Sequence, residues 1–136
     1  MASNMKKIRV LYVDDEENPL IIAKTFLEKI DSEMLVNVLS SPEEALKIID
    51  AYQCIITDYR MPKMDGLEFA QKIRENSNVP IILYTAWGDD ELFEEANTLG
   101  IDECVSKGYT RDHYEVLAKQ ITSLIKKQSI EPTLHV

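Results

Sequence analysis

Five short apolar runs, each followed by a segment with helical spacing, constrain this chain more than any other feature. The runs are Ile8–Val13, Met34–Leu39, Cys54–Thr57, residues 79–84 and Glu103–Ser106. They are rich in Ile, Val and Leu and show little polar alternation. Strands buried on both faces of a parallel sheet read this way. The first helix is expected near Asn18 and Pro19, a cap followed by a proline in the opening turn. Its apolar stripe is Ile22, Ala23, Phe26, Leu27 and Ile30. The second opens at Ser41 and Pro42, with Ser41 and Glu44 spaced for a capping box. The third follows Asp65 and Gly66. The fourth starts at Asp89 and stops at Gly100. The fifth covers about residues 112–127, with Tyr114, Leu117, Ile121 and Leu124 inward. Five strand–helix units joined by right-handed crossovers make a doubly wound α/β sheet.

At 136 residues the chain is long enough for one domain with a real core. The expected domain is 7–127, with 1–6 and 128–136 as flexible ends or linker. The formal net charge of -9 argues against direct nucleic-acid binding, which needs a basic surface. No apolar run approaches the ~20 residues of a membrane span, so no membrane association is expected. Met1–Val10 lacks the apolar core of a secretory signal, and two cysteines fit a reducing compartment. A cytoplasmic location follows as the expectation. Residues 89–103 hold seven acids and no bases, so a partner docking there should be basic or apolar.

In open α/β sheets, ligands sit beyond the carboxyl ends of the strands. The first strand ends in Asp14 and Asp15, the third in Asp58, the fourth in Thr85, the fifth near Lys107. Converging carboxylates repel one another unless a cation intervenes. Mg²⁺ takes oxygen ligands and keeps some waters. The arrangement therefore predicts a Mg²⁺ site, with Mn²⁺ as a substitute. Asp15 and Asp58 would be ligands and Asp14 would act through water. Asp58 can also attack phosphorus as a carboxylate nucleophile. Lys107 and the Thr85 hydroxyl would then serve the phosphoryl oxygens. Taken singly, these residues have bland readings: Asp14 to Glu17 can oppose a helix dipole, and an Asp at a strand end can be a turn residue. The joint pattern, in this order on these strands, carries the chemistry. His113 and His135 have no metal-ligand company and read as structural or solvent residues. Cys54 and Cys104 read as small buried hydrophobes. Trp87 follows Thr85 into the next loop and reads equally as a lid or as packing.

These motifs resemble the receiver domains of two-component response regulators. The resemblance rests on Leu11-Tyr12-Val13-Asp14-Asp15-Glu16, Thr57-Asp58-Tyr59-Arg60-Met61-Pro62-Lys63-Met64-Asp65-Gly66, Tyr84-Thr85-Ala86 and Ser106-Lys107. It implies a flavodoxin-like (βα)5 sandwich with strand order 2-1-3-4-5. It implies that Asp58 accepts a phosphoryl group from a histidine kinase in a Mg²⁺-dependent reaction. Asp15, Asp58 and the backbone carbonyl of Arg60 would hold the metal, with Asp14 as the second acid of the pocket. Gly66 would supply a turn at positive φ. Thr85 moving towards the phosphoryl group would bias a two-state surface. The output would be a downstream protein or a linked module, with a homodimer through the helix 4/strand 5/helix 5 face also in view. Such a domain is a phosphoacceptor switch and not a metabolic enzyme.

The chain departs from the family pattern in three respects. Cys104 stands where an aromatic three residues before the lysine is common. Gly108 stands where proline usually follows it, so a trans bond and an altered loop are expected. Arg60 and Trp87 put large side chains beside the pocket. The pair Lys107-Gly108 is also similar to receiver modules in larger archaeal sensor and kinase proteins. The competing reading is a Mg²⁺-dependent aspartyl-nucleophile phosphohydrolase of the haloacid-dehalogenase kind. Those enzymes place Asp-x-Asp at the end of the first strand, whereas here the isolated Asp58 ends the third. A flavin carrier on the same fold is a third reading, and the acids after the first strand oppose it.

Overall fold

The computed structural model describes residues 7–86 and 88–130. Its elements are β1 (Ile8–Val13), α1 (Glu17–Ile30), β2 (Met34–Leu39), α2 (Pro42–Ala45), a 3₁₀ turn (Ile49–Ala51), β3 (Cys54–Thr57), α3 (Gly66–Arg74), β4 (Ile81–Thr85), α4 (Asp90–Thr98), β5 (Glu103–Ser106) and α5 (Arg111–Ile130). All strand pairs are parallel, in the order β2-β1-β3-β4-β5. This is the flavodoxin-like (βα)5 arrangement. No helix among the described residues is long and apolar enough to cross a membrane.

Alternate strand residues feed two cores. Leu11, Val13, Ile55, Ile81 and Leu83 pack with α3 residues Phe69, Ala70 and Ile73 and with Leu92 and Ala96 of α4. Val10, Tyr12, Ile56, Ile82 and Tyr84 pack on the other side with Leu20 and Leu27 of α1 and Tyr114, Leu117 and Ile121 of α5. Parallel strands covered on both faces can be apolar throughout, which is why the runs lack alternation.

Several boundaries differ from expectation. α1 begins at Glu17, and Asn18 is not its cap. The chain stays extended at Glu16, whose N–H donates to Asp14 Oδ1 at 3.0 Å, so Asp14 manages the helix entry. Pro19 still falls in the first turn, where its missing N–H costs nothing. The Ser41 hydroxyl accepts from Glu44 N–H at 3.2 Å. The Glu44 carboxylate turns to Lys47 at 2.8 Å, which leaves the box half made and α2 a single turn. The complete capping box is at α3, between Asp65 and Glu68. β4 starts two residues later than the apolar run, because Val79 and Pro80 lead into it. α5 continues to Ile130, so residues 128–130 are helical. The remaining end residues, 1–6 and 131–136, including His135, lie outside the described residues, as does Trp87.

Gly66 does not adopt positive φ; among the described residues Lys63 (φ 71°) and Gly100 (φ 90°) do. Gly66 is required for another reason. A Cβ there would fall well inside contact of the Asp58 carbonyl oxygen. Lys63 takes the left-handed turn, closed by Met64 N–H donating to the Pro62 carbonyl at 2.8 Å. Of the acids in 89–103, Asp89 caps α4. Asp102 points back to Arg74 at 2.9 Å and accepts Ile81 N–H at 2.8 Å.

Candidate functional site

Register places the site. Val13 pairs with Thr57, so the next residues, Asp14 and Asp58, are lateral neighbours on strands about 4.8 Å apart. Thr85 pairs with Ser106, which puts Lys107 just past the same edge. Tyr12, Asp14 and Glu16 share one side of β1 and its extended continuation, by the two-residue period. Asp58 follows Ile56 on that side, and Lys107 follows Val105.

Asp14 is 0 % exposed and Asp58 3 %. The Lys107 ammonium lies 2.7 Å from Asp14 Oδ2 and 3.3 Å from Asp58 Oδ2. Tyr12 donates its hydroxyl to Asp14 Oδ2 at 2.8 Å. Asp58 accepts from Tyr59 N–H at 2.7 Å, and the neighbouring Thr85 hydroxyl favours its charged form. One carboxylate oxygen each of Asp14, Glu16 and Asp58 come within 4.8 Å of one another. Asp15 stands apart from that cluster. It is exposed and lines the adjoining cleft with Tyr59, Arg60, Met61, Pro62 and Asp65. The residues predicted from the strand ends therefore form one constellation around Asp58, with Asp15 and Arg60 on its open side.

The electrostatics follow from burial. Burial pushes the Asp58 carboxyl above its usual range; Lys107 opposes this, and the Asp14 charge adds to it. Burial pushes the Lys107 ammonium down, but the Asp14 and Asp58 carboxylates more than offset that and hold it above its ordinary value. Burial and the Asp14 charge push the Tyr12 phenol far up, so it remains a donor. One ammonium thus faces two of the three clustered acids. The donors are all hard oxygens, and the negative charge is only partly compensated, a set that suits a divalent cation of the Mg²⁺ class.

Two site residues escaped the sequence reading. Glu16 joins the cluster because the strand direction persists past Val13; its spacing of two from Asp14 was the available signal. Tyr12 is the other, again two residues from Asp14. Behind it, the Tyr84 ring stands edge-on at 5.8 Å and 70°. Tyr84 in turn stacks on His113 at 5.6 Å, with its hydroxyl 2.7 Å from Nε2. His113 is structural, as expected. Cys54 and Cys104 are free thiols, on strands separated by β4. Cys104 is only half-buried, and burial pushes its thiol up to about 11.

Comparison with known proteins agrees with this geometry. The family model of the response regulator receiver domain matches residues 10–122. The chain belongs to that family: it is a receiver domain of the two-component response regulators. It is 29% identical over 124 residues to the transcriptional regulatory protein SrrA of Staphylococcus aureus, covering 90% of this chain and 51% of that one. The chain thus spans about half the length of the curated relatives it matches. Among solved structures, the receiver domain of the Francisella response regulator 1452 superposes with a TM-score of 0.78 at 27% identity, covering 90% of this chain and 99% of the other. The beryllofluoride-activated NtrC4 receiver domain dimer gives 0.76 at 28%, covering 86% and 98%.

Proposed function

We propose that Asp58 is the phosphoacceptor of this receiver, taking a phosphoryl group from a histidine kinase. The observation that supports this most is the position of its carboxylate. It is held by Tyr59 N–H at 2.7 Å, beside the acid Asp14 and near the Thr85 hydroxyl, with Lys107 at 3.3 Å. Phosphoryl transfer asks mainly for positioning and charge neutralisation. Tyr59 N–H orients Asp58 so that one oxygen can attack phosphorus, while the bond to the donor's leaving group breaks. Lys107 and Thr85 then serve the equatorial oxygens. Asp14, Asp58 and either Glu16 or Asp15, with the Arg60 carbonyl, would hold Mg²⁺ (or Mn²⁺). Bound there, the ion neutralises charge on the transferring group.

On this reading the chain is a signalling switch without a metabolic substrate, and it acts in the cytoplasm. Its output goes to a partner protein or a linked module, as SrrA's description as a transcriptional regulator suggests for that relative. A receiver dimer, as in NtrC4, is a further expectation. The test supplies Mg²⁺ and acetyl phosphate, followed by a kinase if small donors fail. One acid-stable phosphoryl increment on the wild type, absent in Asp58→Asn, is expected. Multiple turnover of a phosphoester by the pure protein would overturn the reading in favour of a phosphohydrolase.

A further inference from the structure

Asp14 carries more donors than a pocket acid needs for its own stability. Its Oδ1 accepts Glu16 N–H at 3.0 Å. Its Oδ2 accepts two side-chain donors at once, the Tyr12 hydroxyl at 2.8 Å and the Lys107 ammonium at 2.7 Å. Doubling on one oxygen is informative, because Lys107 has a second client. Asp58 Oδ2 lies 3.3 Å from the same ammonium. When Asp58 carries a phosphoryl group, Lys107 must turn to its oxygens, and the bond it can release is the one to Asp14. A fully buried carboxylate oxygen that loses its donors bears the whole desolvation penalty. Tyr12 keeps a donor on that very oxygen.

The phenol is built to stay there. Its ring is 0 % exposed, packs in the core shared by β1, α1 and α5, and rests edge-on against Tyr84. A phenylalanine would fill the same core space, so the hydroxyl adds nothing to packing. It donates to Asp14. We infer that Tyr12 is a positioning residue. Its hydroxyl holds the Asp14 carboxylate and so frees Lys107 to exchange Asp14 for a phosphoryl oxygen on Asp58. The inference rests on the phosphoacceptor reading of Asp58.

The test uses the full chain with Tyr12→Phe. The readouts are the unfolding midpoint, the affinity for beryllofluoride with Mg²⁺ from intrinsic fluorescence, and labelling by acetyl phosphate. A folded protein with a modestly lowered midpoint is expected, with beryllofluoride affinity and labelling rate each lowered about tenfold, the scale of one hydrogen bond to a charged group. In a Lys107→Ala background the same change should have no further effect, because no lysine remains to be released. Equal affinity and rate for Tyr12→Phe and wild type would overturn the inference, as would an undiminished loss without Lys107. Wild type that is never labelled, by small donors or by a kinase, would instead overturn the phosphoacceptor reading and this inference with it. If Tyr12→Phe does not fold, the native protein decides. Buried and bonded to Asp14, the Tyr12 hydroxyl proton should exchange slowly and be seen in the NMR spectrum with and without beryllofluoride. Its loss on activation would overturn the role.

Discussion

Gly108 and His113 are fitted to each other: a Cβ on Gly108 would stand 2.8 Å from the His113 ring. The ring occupies that space because it stacks on Tyr84, whose hydroxyl lies 2.7 Å from Nε2. The loop that follows Lys107 is therefore pinned to α5 from beneath. An alanine must push the ring off Tyr84 or shift the loop. Gly108→Ala should cost about 1–2 kcal/mol, the range for overpacking a filled site. In a His113→Ala background the cost should fall below about 0.5 kcal/mol. Urea unfolding of the four proteins checks this, and simple additivity would show that the two residues are independent.

The same histidine sets a pH dependence. Burial lowers the His113 pKa below its unfolded value of 6.5. The unfolded chain then binds more protons between the two values, so stability is present above pH 6.5 and is lost as pH falls through the folded value. The wild type should lose more stability than His113→Gln between pH 7.5 and 5. Parallel curves for the two proteins would remove His113 from the explanation.

Most of the architecture was legible because strand, helix and strand repeat with little ambiguity. The ends of β1, β3, β4 and β5 carried the site for the same reason: parallel strands deliver their last residues to one edge. The missed features share a physical cause. Tyr12 and Glu16 belong to Asp14 through the two-residue period, and a hydropathy pattern registers neither a hydroxyl inside an apolar run nor an extended residue after it. The entry to α1 was misplaced for a related reason. A side chain three residues before the helix, Asp14, accepts the Glu16 N–H, and Asn18 is not used as a cap. Gly66 was expected for its backbone freedom, but it is needed for its missing side chain, which only the path of the neighbouring chain reveals.

That close approach makes Gly66 a test of how tightly the Asp58 backbone is set. Gly66 N–H donates to the Tyr59 carbonyl at 2.8 Å, and the Asp58 carbonyl oxygen fills the volume a Cβ would need. Relief must come from backbone, which is stiffer than any side-chain end. Gly66→Ala should destabilise by about 2–3 kcal/mol and displace Asp58 from Tyr59 N–H and Thr85. Loss of acetyl phosphate labelling in a protein that still folds, shown by circular dichroism, is the expected result. Normal labelling would show that the loop has room to move.

Asp58 itself is held against its preference. Burial and the neighbouring Asp14 charge raise its pKa despite Lys107, so its ionised form is less favoured in the fold than in the unfolded chain. A group shifted upward in this way destabilises the fold above its unfolded pKa and is relieved as pH falls through the folded value. Asp58→Asn removes the charge and keeps the shape. Without divalent ions the variant should melt above the wild type. Mg²⁺ should reverse the order. An ion that binds only the folded state adds about 2.7 kcal/mol at a hundred times its Kd, and the variant lacks one of the carboxylates expected to hold it. Thermal unfolding with chelator, and then with increasing Mg²⁺, measures both effects. Equal Mg²⁺ shifts in the two proteins would place the ion away from Asp58.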